Sequence, residues 1–238
     1  MSSNGKPTIV VVHGAFAESG GWDRIVARLQ DEGHRVIAAA NPLRSVAYDA
    51  TYIRALLDSI EGPVVLVGHS YGGMVISKAA AGAENVKKLV YVAGFAPEAG
   101  DSGATLAAKF PGSTLGQTLR PVKLPDGGED VYVDQELYHA QFAADVPGEV
   151  TRVMAANQRP ITSAALEEAA EGSQAWQSIP SWFLIPEADN NIPAAVHRFM
   201  AERAKAVTTV SIPNASHAVF VSHPTEVGDL ILEAAAAA

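Results

Sequence analysis

The sequence predicts an α/β fold: a mostly parallel sheet with helices on both faces and an inserted, mainly helical cap. Three observations predict it. Short β-branched runs alternate with amphipathic helical stretches through roughly the first hundred residues. The alternation stops between about Pro97 and Ile179, and it resumes from there to the end.

The elements follow in order. Ile9 to Val12 is a β-branched run that reads as a strand buried on both faces, ended by His13-Gly14. From Trp22 to Glu32, Trp22, Ile25, Val26 and Leu29 share a helical face, and Gly33 stops the helix. Arg35 to Ala40 is a second strand, broken by Asn41-Pro42. Ala47 to Ile60 reads as a helix with Tyr52, Leu56 and Ile60 on its apolar stripe. Val64 to Val67 is a third buried strand, Met74 to Ala81 a helix, and Val86 to Ala93 a fourth strand. Such a βαβ series implies right-handed crossovers.

Between 97 and 179 no comparable buried β-rich run occurs. Gly, Pro and acidic residues dominate Ala99 to Gly128, and Asp134 to Ala143 and Glu149 to Asn157 read as short amphipathic helices. A structureless loop of that length is rare in a compact domain, so the segment is expected to be a cap over the sheet. Residues 1–96 and 180–238 then form the core, with a strand at Trp182 to Ile185, a helix at Pro193 to Ala204, a strand at Val207 to Ile212 and a helix at His223 to Ala236.

Composition narrows the function. The 238 residues are 48% hydrophobic and 18% charged, as in an ordinary globular domain. A net charge of −9 argues against nucleic acid and anionic lipid as partners. The absence of cysteine excludes disulfides and thiolate catalysis. No apolar run approaches a membrane span or a signal h-region, so a cytoplasmic location is expected, as a monomer or homodimer. No cluster of His and acidic residues resembles a metal site, and neither metal nor cofactor is expected.

Gly68-His69-Ser70-Tyr71-Gly72 is a G-x-S-x-G motif lying directly between a predicted strand and a predicted helix. A sharp turn there lifts the serine hydroxyl above the carboxyl edge of the sheet, and Gly68 and Gly72 provide room where strand and helix pass closest. Serine needs a base to attack a carbonyl. Of seven histidines, His217 follows the last strand and so lies at the same edge. His69 is too close in sequence to reach back, His34 and His197 read as surface helix positions, and His223 is the runner-up. The imidazole needs an orienting acid, for which Asp189 follows the strand at 182–185, with Glu187 as the alternative. Backbone donors for a developing oxyanion are expected from Tyr71 and from the loop His13-Gly14-Ala15-Phe16, at Ala15 or alternatively Phe16. Phe16, Tyr138, Phe142 and Trp176 are candidate pocket residues, with Leu106, Phe110 and Met154 beside them.

Together these residues resemble the α/β-hydrolase superfamily, and within it the small capped esterases related to plant methyl esterases and hydroxynitrile lyases. The resemblance implies a triad of Ser70, Asp189 and His217 and an oxyanion hole at Ala15 and Tyr71. Gly14 stands where hydroxynitrile lyases typically carry Thr, and Ala218 where they carry Lys, which argues for ester hydrolysis. The expected function is serine-dependent cleavage of small to medium carboxylic esters. The alternatives are a lyase, perhydrolase or haloperoxidase-like reaction on the same triad, or a ligand receptor built on the scaffold.

Overall fold

The β-branched runs pair into one large parallel sheet. The computed structural model describes residues 5–125 and 127–237. Its strands are β1 (Thr8–Val12), β2 (Val36–Ala39), β3 (Val64–His69), β4 (Val86–Val92), β5 (Leu119–Lys123), β6 (Glu129–Val133), β7 (Ile161–Thr162), β8 (Ser181–Pro186) and β9 (Thr208–Ile212). Its helices are α1 (Asp23–Asp31), α2 (Val46–Asp58), α3 (Gly72–Ala79), α4 (Gly103–Ala107), α5 (Tyr138–Phe142), α6 (Gly148–Asn157), α7 (Ser163–Glu167), α8 (Ala194–Arg203), α9 (Val219–Ser222) and α10 (Pro224–Ala236).

The large sheet has the order β2-β1-β3-β4-β8-β9, parallel throughout. The central strands β1, β3 and β8 are buried along their whole length, which is why they read as unbroken apolar runs. α1 packs on α10, and α2 on α3. Trp22, Ile25 and Leu29 of the first predicted helical face are fully buried.

The strand order places the site. The chain leaves β1 toward β2, then crosses back to β3 on the other side of β1. In open α/β sheets ligands bind beyond the carboxyl ends of strands at such a reversal. The loops that follow β1 and β3 there carry Gly14-Ala15 and Ser70.

The segment between β4 and β8 is mainly helical as expected but richer than its apolar pattern suggests, and one helical face needs correction. The segment between β4 and β8 carries four short helices, but it also holds a three-stranded antiparallel sheet, β5-β6-β7. β5 and β6 carry charges, β5 is mostly exposed around Pro121, and β7 is only two residues long, so they leave no apolar run to read. In α2 the buried face is Val46, Asp49, Ala50, Ile53 and Leu57, and Tyr52 is exposed. Asp49 turns inward because its carboxylate accepts bonds from the Tyr71 hydroxyl and the Arg44 N–H, a preference that apolar spacing does not reveal.

Candidate active site

The turn from β3 to α3 is built by close approach. A Cβ on Gly72 would sit 2.5 Å from the Val12 carbonyl oxygen, and one on Gly68 would sit 2.8 Å from the Gly72 oxygen. Ser70 occupies the turn with φ of +54°, a strained value for a residue with a side chain. Its N–H donates to Ala93 O at 3.2 Å, and its carbonyl accepts from Gly73 and Phe95. The strain is thus held by hydrogen bonds to the loop after β4 and to the first turn of α3. The Ser70 side chain faces a cavity of about 480 Å³, and its hydroxyl makes no hydrogen bond among the described residues.

His217 and Asp189 meet beyond β9 and β8. His217 Nδ1 donates to Asp189 Oδ2 at 2.7 Å, and both side chains are almost completely buried. A proton on Nδ1 leaves Nε2 as the basic nitrogen. Asp189 Oδ1 accepts the backbone N–H groups of Asn191 at 2.7 Å and Ile192 at 3.0 Å. Burial alone would push this carboxyl up, but the imidazoles of His217 and His197 outweigh it and hold Asp189 well below the usual carboxylate range. Glu187, the alternative acid, is instead paired with Arg198 near the surface. His223, the alternative base, lies against Ser222 and Asp145.

His69 lies beneath this pair. Its ring centroid is 4.7 Å from that of His217, and Nε2 donates to the His217 carbonyl at 3.0 Å. Burial, then the neighbouring His217, push its pKa well below that of a free imidazole, so it stays neutral. Phe142 packs edge-on to both rings, 5.0 Å from that of His217 and 6.2 Å from that of His69.

The N–H groups of Ala15 and Tyr71 have no acceptor among the described residues, and both residues line the cavity with Ser70. The Phe16 N–H is already committed to Arg159 O at 3.0 Å. His13 braces this loop. Nδ1 donates to Gly14 O, Nε2 accepts from the Asn41 N–H, and burial lowers its pKa.

Of the candidate pocket residues, Phe16 and Phe110 line the cavity at Ser70, while Tyr138, Phe142 and Trp176 do not. Tyr138 is turned away by its hydroxyl, which donates to Phe16 O at 2.7 Å, and it borders a separate cavity with Met154. Phe142 is spent on packing against Tyr138 and the histidines. Trp176 is tied down by its indole N–H, which donates to Pro97 O.

His197 is the residue that sequence reasoning misplaced. It is buried, not a surface position, and its Nε2 donates to Asp189 Oδ2 at 3.2 Å. A signal existed: it lies on the same face of α8 as the buried Val196, Met200 and Ala201. His34, also expected at the surface, is buried at the edge of the core and bonded to Pro7 O. No group of three or more His, Asp or Glu among the described residues is arranged to hold a metal ion.

A family model described as the alpha/beta hydrolase family matches residues 9–230. The chain belongs to that family. Among the relatives of this α/β-hydrolase, Esterase PIR7B of Oryza sativa subsp. japonica is 26% identical over 99% of this chain and 98% of its own. Methylesterase 7 of Arabidopsis thaliana is 24% identical over 99% and 98%. The crystal structure of polyneuridine aldehyde esterase superposes on the α/β-hydrolase chain with a TM-score of 0.82 at 19% identity, covering 96% of it and 98% of the other.

Proposed function

We propose that this α/β-hydrolase is a serine esterase that cleaves small to medium carboxylic esters through Ser70, His217 and Asp189. The observation that carries the reading is the buried His217–Asp189 pair, which leaves one basic ring nitrogen beyond the same sheet edge as the strained serine turn. Full-length similarity to a rice esterase and an Arabidopsis methylesterase supports the reaction class.

His217 Nε2 takes the Ser70 hydroxyl proton as Oγ bonds to the ester carbonyl carbon. The N–H groups of Ala15 and Tyr71 stabilise the oxyanion; Ala15 is the better donor because Phe16 is already occupied. The intermediate collapses, and His217 returns the proton to the leaving alkoxide. Water, deprotonated by the same imidazole, then attacks the acyl carbon; collapse expels Ser70 Oγ, which takes the proton back from His217, and the acid is released. The Ser70–His217 hydrogen bond that this requires commonly tightens only with substrate bound. Asp189 remains a carboxylate throughout, as its depressed pKa favours. The segment 97–179 acts as the cap, supplying Phe110 and Leu115 to the substrate cavity.

The test is Ser70→Ala on a p-nitrophenyl ester, with fluorophosphonate labelling of the parent protein. Turnover is expected to fall by roughly four orders of magnitude or more, and the label to map to Ser70. Turnover that survives the substitution would overturn the assignment.

A further inference from the structure

The cavity beside Ser70 has a nearly uniform lining. Phe95, Phe110, Leu115, Leu119, Leu166 and Ile192 dominate it, and no charged residue lines it among the described residues. Its polar side chains are Ser70 itself, Tyr71 and Ser113, whose hydroxyls already donate to Asp49 and to the Asn191 carbonyl, and Asn191. Asn191 is almost completely buried and lines this cavity, two residues beyond Asp189.

Its amide is oriented by its neighbours. Thr114 Oγ1 donates to Gln141 Oε1 at 2.8 Å, and Gln141 Nε2 donates to Asn190 O at 2.9 Å. The Asn190 carbonyl can only accept, so it fixes which end of the Gln141 amide is the donor, and the Thr114 hydroxyl is consistent with that orientation. The same Nε2 donates to Asn191 Oδ1 at 2.7 Å, so the oxygen of Asn191 faces Gln141. Its backbone is also committed, the N–H to Asp189 Oδ1 and the carbonyl to Ser113 Oγ. Only Nδ2 is left. It has no partner among the described residues, yet it is not sealed from solvent contact as an orphaned buried atom would be. Asn191 borders the Ser70 cavity, into which a free amide N–H can point.

We propose that Asn191 Nδ2 is a preset hydrogen-bond donor for substrate. The preferred substrates are then uncharged esters that carry one acceptor oxygen, as ether, ketone or second ester, along an otherwise apolar chain. This rests on the esterase reading and narrows it. An all-carbon chain leaves the donor buried without a partner when it fills the cavity, and an anionic chain meets no cation there.

The experiment compares matched esters on the full chain. p-Nitrophenyl hexanoate is set against its analogues in which an ether oxygen replaces successive chain carbons, and hexyl acetate against the corresponding alkoxyalkyl acetates. The readout is the kcat/KM ratio of ether to carbon chain, divided by the same ratio for Asn191→Leu, which cancels intrinsic ester reactivity. At one oxygen position, in the acyl or the alcohol series, this double ratio is expected to reach about fivefold to tenfold. Asn191→Asp, nearly identical in shape and replacing the donor by a carboxylate oxygen, is expected to lose the ether preference as well. A double ratio near one at every position, or a preference that survives in Asn191→Asp, overturns the subsite. If the parent still hydrolyses the hexanoate and takes a fluorophosphonate at Ser70, the esterase reading stands without it. A parent that does neither removes the esterase reading itself, and the subsite with it.

Discussion

Asp189 Oδ2 accepts from two imidazoles, His217 at 2.7 Å and His197 at 3.2 Å, while its other oxygen takes two backbone N–H groups. A carboxylate so surrounded has little freedom to turn, and in the proposed triad this makes His197 a positioning residue for His217. His197→Leu is expected to lower kcat about tenfold with little change in KM, because the lost bond orients the base and does not touch substrate. His197→Gln, which keeps an N–H donor, should retain most of the rate. Wild-type kcat in the leucine variant would show that the second imidazole is only packing. Asp189→Asn should cost about 10⁴ in kcat by losing the charge and tautomer control that the imidazole needs. Steady-state kinetics on one ester separates these effects.

At the scale of elements, the β3–α3 turn works because three segments cross with no room for side chains. The Cβ of Gly72→Ala would lie 2.5 Å from the Val12 carbonyl oxygen, and that of Gly73→Ala would run into the Phe95 oxygen, both backbone atoms that cannot swing aside. Either variant is expected to lose about 3 kcal/mol or more of stability, read as a fall in urea midpoint. A variant as stable as the parent would mean that the turn tolerates more spreading than its geometry allows. The loop after β1, the proposed oxyanion loop, is tied to the segment 97–179 on both sides of Phe16, by Arg159 O and the Tyr138 hydroxyl. Tyr138→Phe, which leaves the Phe16 carbonyl unpaired, should therefore lower kcat by several-fold as well as stability by about 1–3 kcal/mol. Unchanged kcat would uncouple that segment from the site.

Across the whole molecule, buried histidines make stability depend on pH. His69 and His13 have pKa values below that of a free imidazole, first because burial penalises their charged forms. Between their lowered folded values and about pH 6.5 the unfolded chain is more protonated at both residues than the folded one. The unfolded state then binds more protons, so stability falls as pH falls, by up to about 1.4 kcal/mol per pH unit for each. The depressed pKa of Asp189 contributes stability that is complete above about pH 4 and is lost only as pH falls below that toward its folded value. The raised pKa of buried Asp49 works in the opposite sense and offsets part of that acid loss. Thermal unfolding at pH 7 and pH 5 should show the drop, and His69→Gln should shallow it. A flat profile would mean that both imidazoles already protonate in the folded state.

The sequence by itself determined the alternation of strand and helix in the core, the serine turn at 70 and the edge at which residues 189 and 217 emerge. Each of these is written in local chemistry: apolar runs, glycines where backbones touch, and loops that must follow parallel strands on one side. Tertiary structure alone decided the inward face of α2, the small sheet β5-β6-β7, the second imidazole on Asp189 and the orientation of Asn191. These depend on partners distant in the chain, such as Tyr71 for Asp49 and Gln141 for Asn191. A polar side chain becomes buried where such a partner meets it, and the spacing of apolar residues carries no record of that meeting.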